Sequence, residues 1–529
     1  MSLLKSHAFK FNPFGKLDAS QDPHLPDYFV DQGLVDNLIR DESNGTIIWG
    51  QRGAGKTAGR IMFERRLPAD QLAIVYDRFP FALDNKRYAI PIEEHLIQLI
   101  RLLALRILLH IHEKPDVAAG LTDLDKYTIG YLAYKVLSEL DRGELVETVR
   151  SITGTEVHAK RFADWFEQGG AKFVQKLLSG ILGILGTDSS QVASIENVNH
   201  CEKELTSGGY NIWSPTERAV IVNYLEALTR TLPRLGITRT NVLVDNVDEL
   251  PQTAADPKAA FAFVRALLTN LFLYRVPGLS FRFFLWDRVD PQCTLAEGVR
   301  RDRITDRHLR WRPEQLDKML SERLRTASRL SSFDGLVAKN VRFSVHKLIA
   351  HMAAGCPRDM VRLADKIINE HDAQRNGQLI SDETVWSAIR KYCMERAREL
   401  LSKEEHQFIA SLNRRTFNAA YLQSAWGNGV DIPATLQKFR DTGVIALIEQ
   451  ENHHGHVQEL YSYGDLRIAI GTNVNEDPKN ILRNAYLCSA CGRPLITNRN
   501  RVICEPDNRT FFATESLKTV WHAIQARQS

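Results

Sequence analysis

The sequence predicts an α/β protein with a doubly wound parallel sheet, and three observations predict it. A short apolar run, Thr46-Ile47-Ile48-Trp49, leads into the loop GQRGAGKT, Gly50 to Thr57, and then into a helix-forming segment, Ala58 to Phe63. A second apolar run, Asn241 to Val244, ends on Asp245-Asn246-Val247-Asp248-Glu249. Two further runs, Leu72 to Asp77 and Leu279 to Asp287, are again apolar and end on an acid. Strands buried on both faces read as continuous apolar runs, and an open α/β sheet carries its ligand site at their carboxyl ends.

The loop fits G-x-x-x-x-G-K-[ST]. In that pattern glycines let backbone N–H groups turn inward around phosphates, the lysine reaches the β and γ oxygens, and the hydroxyl binds Mg²⁺. A nucleotide is therefore expected along Gly50, Gln51, Arg52, Gly53, Ala54, Gly55, Lys56, Thr57 and Ala58, with Lys56 on the phosphates of ATP and Thr57 on Mg²⁺. Such a loop also needs a strand-end carboxylate for the metal and a group that positions water. Asp245 is expected to hold Mg²⁺, and the water falls to Asp248 or Glu249, with Glu249 favoured.

Length and composition bound the rest. At 529 residues the chain has room for about three or four units of roughly 100–200 residues each. Hydrophobic content of 44% and charged content of 25% are those of a soluble globular protein. A net charge of +4, from 68 basic and 64 acidic residues, is too small for nucleic-acid binding by the whole surface, so any such contact must be local. The most apolar helical run, Ile92 to Ile111, is interrupted by Glu93, Glu94, Arg101 and Arg106, which excludes it as a membrane span. The amino-terminal MSLLKSHAFKFNPF is not a secretory leader, so a cytoplasmic protein without a membrane partner is expected. Seven cysteines make no disulfide scaffold, but Cys488, Cys491 and Cys504 cluster and suggest metal.

These motifs resemble the AAA+ and STAND nucleoside triphosphatases, and most of all the bacterial ATPases that look like origin-recognition initiators. The resemblance covers roughly residues 10 to 465, with a large insert. It is carried by GQRGAGKT, by VLVDNVDEL, by Arg301 to Leu316 with Glu322-Arg323, and by Gly355-Cys356-Pro357-Arg358-Asp359-Met360-Val361-Arg362. It implies ATP hydrolysis, with Asp287 at a strand end sensing the γ-phosphate and Arg358 in a helical lid touching the same phosphate. A guanidinium suits that task because its fixed fork pairs with phosphate oxygens. The resemblance also implies an arginine finger offered to a neighbouring subunit, for which Arg300, Arg301 and Arg303 are the candidates. A homo-oligomer or a partner effector protein follows from it, as does a setting in phage defence or a mobile element. One residue departs from the pattern: initiator-type members usually place glutamate directly after the metal aspartate, where this chain has Asn246, and the D-x-x-D-E spacing looks more like the STAND form. The lead-in segments FNPFGKLDAS and LPDYFVDQG resemble those of the family, with Tyr28 and Phe29 either stacked on adenine or simply packed.

The expected organisation is a lead-in and first part of the ATPase core over 1–112, a helical insert over 113–210, the second part of the core over 211–312, a helical lid over 313–403, a winged helix over 404–475 and a zinc-ribbon-like tail over 476–529. The insert contains the helical patterns Tyr131 to Leu140 and Phe162 to Phe166. In the winged helix, Ile432 to Asp441, with Lys438 and Arg440, is the helix offered to double-stranded DNA, or the whole unit is a protein surface. The wing histidines His453, His454 and His456 read as a solvated tip. In the tail, the knuckle Cys488-Ser-Ala-Cys491-Gly with Cys504 and Asp507 offers Zn²⁺ three sulfurs and one oxygen, His522 being the alternative fourth ligand. Arg493, Arg499, Arg501 and Arg509 crowd the same region. The function expected is an ATPase whose nucleotide state controls oligomerisation and engagement of DNA or a partner; the alternative is a signalling scaffold that regulates an effector without DNA.

Overall fold

A computed structural model describes residues 2–79, 89–122, 218–254, 256–374, 379–412, 414–427, 429–453, 456–473, 475–488, 494–497, 501–504, 509–512 and 518–525, with isolated positions 125, 128, 129 and 132. The chain forms two compact units. One comprises residues 33–52 and 56–309, the other 1–32, 53–55 and 310–529.

The first of these is built on five strands: β1 (Gly45–Gly50), β2 (Gln71–Tyr76), β3 (Arg239–Val244), β4 (Leu279–Trp286) and β5 (Thr305–His308). Their order is β2-β3-β4-β1-β5, and every neighbouring pair is parallel. β1 and β4 are buried along their whole length, as strands covered on both faces must be. From β1 the chain crosses to β2, returns through β3 and β4, and then passes β1 to reach β5. The direction of winding reverses beside β1, and in open α/β sheets the carboxyl ends of the strands at such a reversal are where ligands bind. Register sets those ends side by side, with Gly50 opposite Trp286 and Val244 opposite Phe283.

Helices Ile92–Glu113, Arg218–Thr231 and Pro257–Thr269 supply the apolar cover, burying Leu103, Ile107, Leu225, Leu228, Phe263 and Leu267 in one cluster with Phe281 and Phe283 of β4. Asp256 caps the last of these helices by accepting from Lys258 N–H at 2.8 Å, a local start signal that its sequence neighbour Pro257 reinforces. Arg282 interrupts the apolar run of β4 yet is fully buried. Its guanidinium donates to Ser43 O at 2.8 Å, to Thr46 Oγ1 at 2.9 Å and to Asp41 O at 2.9 Å, so it closes the loop before β1 from within. Among the described residues no helix is long and apolar enough to cross a membrane.

In the other unit, helices Pro313–Ala327, Val345–Met352, Pro357–Ala373 and Asp382–Leu400 pack around Leu320, Leu348, Met360, Leu363, Ile367 and Ile389. Three shorter helices follow, Lys403–Ala410, Ala419–Trp426 and Ile432–Asp441, each N-capped by the side chain before it: Ser402, Asn418 and Asp431. The third occupies the residues expected from the sequence. Strands β7 (Ile445–His453) and β8 (His456–Tyr463) then pair antiparallel, with β6 (Thr416–Phe417) on the far edge of β8. In the tail, β9 (Ala485–Leu487) pairs with β10 (Pro494–Ile496) and β11 (Arg501–Cys504) with β12 (Arg509–Phe512). The two helical patterns expected in the insert lie outside the described residues, apart from Leu132.

A buried ion cluster ties this unit together. Arg467, on the helix Leu466–Thr472 that follows β8, pairs with Asp359 and donates through Nε to Asp465 Oδ1 at 2.9 Å. Arg396 reaches the same Asp359 at 3.3 Å. Asp359 opens the helix Pro357–Ala373, so one aspartate joins three helices.

Candidate nucleotide site

β1 ends at Gly50, and Lys56 opens the helix Lys56–Arg66 after it, the strand–loop–helix order that a phosphate loop requires. Lys56 is buried, and its ammonium donates to Gly50 O at 3.0 Å and Gln51 O at 3.4 Å. The amine therefore curls back over the loop that it serves. Gly53 and Gly55 have φ of 79° and 91°, the left-handed region where a side chain is strained. Gly53 has a steric reason as well, since a Cβ there would lie 2.7 Å from Cys356 Sγ and 2.8 Å from Arg358 Cβ. Gly53–Gly55 group with these residues, and Ala54 O accepts from Trp311 Nε1 at 2.7 Å.

β3 delivers Asp245, which is 1% exposed. Its Oδ2 accepts from Arg60 Nε at 2.8 Å, and Arg60 Nη1 lies 3.5 Å from Glu64 Oε2. Asp77 stands at the end of β2; burial pushes its carboxyl up, with Arg60 opposing and Asp245 adding to the rise. Burial pushes Glu64 up in the same way, against Arg60. The group is a knot of acids around one arginine.

Beyond Asp245 the chain turns at Asn246, whose φ of 60° is left-handed. Asparagine is among the few side chains that visit this region readily. The turn carries Asp248 inward and Glu249 outward: Asp248 is 2% exposed, whereas Glu249 is exposed and donates its N–H to Asn246 O at 3.1 Å. Arg52, from the middle of the phosphate loop, meets Asp248 with Nε 3.1 Å from Oδ2 and Nη2 2.6 Å from the main-chain carbonyl oxygen. Its guanidinium also lies over the Trp286 indole, 4.3 Å from the ring centroid.

Asp287 is exposed and follows directly on β4. Of the three finger candidates, Arg300 is bound to Asp302 through two contacts of 2.8 Å, and Arg301 is held by Asp290 at 2.7 Å and by Asp306. Arg303 is the most exposed of the three, with Asp302 at 3.6 Å. In the other unit, Arg358 is exposed at the start of its helix and donates its main-chain N–H to Gly53 O at 3.3 Å. Tyr28 is 3% exposed, and the Arg323 guanidinium lies 4.2 Å from its ring centroid, so one ring face is packed inside its own unit.

For the tail, Cys488 is buried, while Cys491, Asp507 and the side chain of Cys504 lie outside the described residues. His454 does too. Among the described residues no three or more histidine, cysteine or acidic side chains gather as a metal site. That observation leaves the Mg²⁺ expectation standing, because it asks the protein for only Thr57 and one carboxylate. The acid partners Arg52 and Arg60 are what sequence reasoning missed. Their only signal is position, one inside the phosphate loop and one on the second turn of the helix that leaves it.

Similarity to solved structures runs along most of the chain. The ORC2 protein of Aeropyrum pernix, solved in ADPNP-ADP complexes, is 12% identical with a TM-score of 0.40, over 86% of this chain and 98% of that one. A Walker-type ATPase of Pyrococcus abyssi is 12% identical with a TM-score of 0.37, over 84% and 96%. Cdc6p from Pyrobaculum aerophilum is 12% identical with a TM-score of 0.29, over 88% and 98%. No family model matches the chain, and no curated protein matches it in sequence.

Proposed function

We propose that the chain is an ATP-binding and ATP-hydrolysing protein of AAA+ or STAND type, whose nucleotide state controls oligomerisation and engagement of DNA or a partner protein. The observation that carries this reading is the order β3-β4-β1 within one parallel sheet, in which the strand before the loop bearing Lys56 is separated by β4 alone from the strand that leads to Asp245. The loop fits a nucleotide: two left-handed glycines shape it and its lysine is already curled over it. ATP with Mg²⁺ supplies the phosphoryl bond and the cation that neutralises its charge. Lys56 exchanges two main-chain carbonyls for phosphate oxygens, and Thr57 and Asp245 are the residues that would hold the metal. Asp287, Arg358 and Arg303 are proposed to report on the γ-phosphate or to complete a neighbour's site.

The helices Lys403–Ala410, Ala419–Trp426 and Ile432–Asp441 with the hairpin β7–β8 are proposed to act as a winged helix. Two observations favour the second reading, a nucleotide-dependent scaffold that signals to an effector protein without DNA. Lys438, on the helix that would enter a groove, is already paired with Glu405 at 2.7 Å. Asn246 stands where a catalytic glutamate is usual among the look-alikes. A zinc-ribbon role for Cys488, Cys491, Cys504 and Asp507 is proposed on spacing alone, and metal analysis of the purified protein checks it.

The test is ATP turnover of the wild type and of Lys56→Ala, with and without double-stranded DNA, while mass is followed by light scattering. Turnover that is lost in Lys56→Ala and rises with DNA supports an ATPase acting on DNA. Assembly on ATP that ignores DNA supports the scaffold reading. Wild type that neither binds nor hydrolyses ATP removes both.

A further inference from the structure

The structure separates the two acids that the sequence left as alternatives. Asp248 is buried and gripped, and Glu249 faces solvent. The grip comes from one residue of the phosphate loop: Arg52 holds Asp248 Oδ2 at 3.1 Å, holds the carbonyl of the same residue at 2.6 Å, and rests its plane 4.3 Å from the Trp286 ring centroid. An arginine fixed on a carboxylate, a carbonyl and an indole at once has little freedom left, and a carboxylate fixed by it has less. The two are 196 positions apart in the chain, so the pair locks the loop after β1 to the turn after β3 and to the last residue of β4.

We infer that Asp248 is the carboxylate that orients the attacking water, and that Arg52 is its positioning residue. The inference rests on the ATPase reading and says which groups perform its chemical step. Phosphoryl transfer asks the protein for placement more than for basicity, since bond breaking runs ahead of bond making. A carboxylate held rigidly beside the phosphate loop answers that need better than an exposed one on the outer side of a turn. Arg52 occupies Oδ2, which leaves Oδ1 to accept from the water. The water oxygen forms a bond to the γ-phosphorus, the bond from that phosphorus to the ADP oxygen breaks with its electron pair going to ADP, and the water proton passes to Asp248. Asp245 keeps its own arginine, Arg60, so the two acids are held independently.

The experiment compares wild type with Asp248→Asn, Glu249→Gln, Arg52→Ala, Arg52→Lys and the double variant Arg52→Ala/Asp248→Asn, measuring ATP affinity and turnover separately. Asp248→Asn and Arg52→Ala are expected to lower kcat on the order of 100-fold, the scale of a lost general base or its orienting group, with ATP affinity within about threefold. The double variant is expected to be no slower than the slower single one, because the pair acts as a unit. Arg52→Lys is expected not to restore turnover, since a lysine carries the charge without the fork. Glu249→Gln is expected to stay within about threefold of wild type. The inference is overturned if Glu249→Gln is the slow variant, if Arg52→Lys restores full turnover, or if the two single losses multiply. Wild type that binds ATP without turning it over overturns the ATPase reading itself, a different result from any of these.

Discussion

Arg60 Nε donates to Asp245 Oδ2 at 2.8 Å, and neither side chain is more than 9% exposed. A buried ion pair contributes little net stability while it is whole and costs much when half of it is removed. Arg60→Ala is therefore expected to destabilise the protein by about 3–5 kcal/mol, read from urea unfolding, because Asp245 is left buried without its cation. Replacing both partners, Arg60→Met with Asp245→Leu, is expected to recover only part of that loss, since Glu64 and Asp77 still lose Arg60, and to abolish turnover.

The left-handed turn at Asn246 decides what a glutamate there would do. Asn246→Glu, which restores the residue usual among the look-alikes, is expected to lose about 1–2 kcal/mol of stability, since only glycine, asparagine and aspartate enter this region cheaply. Asn246→Gly is expected to change stability by less than about 0.5 kcal/mol. A thermal melt of the two variants beside wild type checks both.

His95 is fully buried between Tyr76 and Phe263. A carbonyl can only accept, so Nε2–H donates to Phe263 O at 3.0 Å and Nδ1 accepts from Tyr76 O–H at 2.6 Å. Burial pushes the imidazole down to about 4 from its ordinary 6.5, against the support of the Phe263 carbonyl. The folded state thus refuses a proton that the unfolded chain accepts below pH 6.5. Its contribution is whole above that pH and is lost as pH falls toward 4. Chemical unfolding at pH 8 and pH 5 is expected to differ by about 2 kcal/mol on account of this residue, and His95→Leu is expected to remove that difference.

Arg467 lies between two carboxylates, Asp359 and Asp465. Burial alone would raise Asp465, but the guanidinium outweighs it and holds that carboxyl below its ordinary value. Arg467→Met is expected to cost about 3–5 kcal/mol, because it strands Asp465 and leaves Asp359 to Arg396. Asp359→Asn is expected to cost less, because Asp465 still balances the arginine. Unfolding by guanidinium chloride of the two variants ranks them.

Much of the five-stranded unit was legible in the sequence. GQRGAGKT needs a strand before it and a helix after it, and Gly45–Gly50 and Lys56–Arg66 are those elements. The runs ending in Asp77, Asp245 and Asp287 are strands of one parallel sheet because an uninterrupted apolar run suits a strand covered on both faces. The helix Ile432–Asp441 was legible for a local reason, its Asp431 cap and Pro433 near its start. The arginine partners of the acids were not. Arg60 and Asp245 are 185 positions apart and Arg52 and Asp248 are 196, and no pattern in one segment announces a partner so distant. Arg282 was hidden for the opposite reason, since a charge inside an apolar strand reads as a flaw until its three acceptors around Asp41 to Thr46 are seen.

The strand order also bears on how the protein is made. β1 leaves the ribosome early, yet both of its neighbours, β4 and β5, lie beyond residue 278. At about 5–20 residues per second, synthesis takes roughly 10–40 s to pass from Arg60 to Asp245, and longer to complete the sheet. Through that interval the nascent chain carries an apolar strand without a neighbour and an arginine whose buried acid does not yet exist. Synthesis that stops short of Asp245 leaves both in that condition, so products shortened there are expected to be clients of chaperones and proteases.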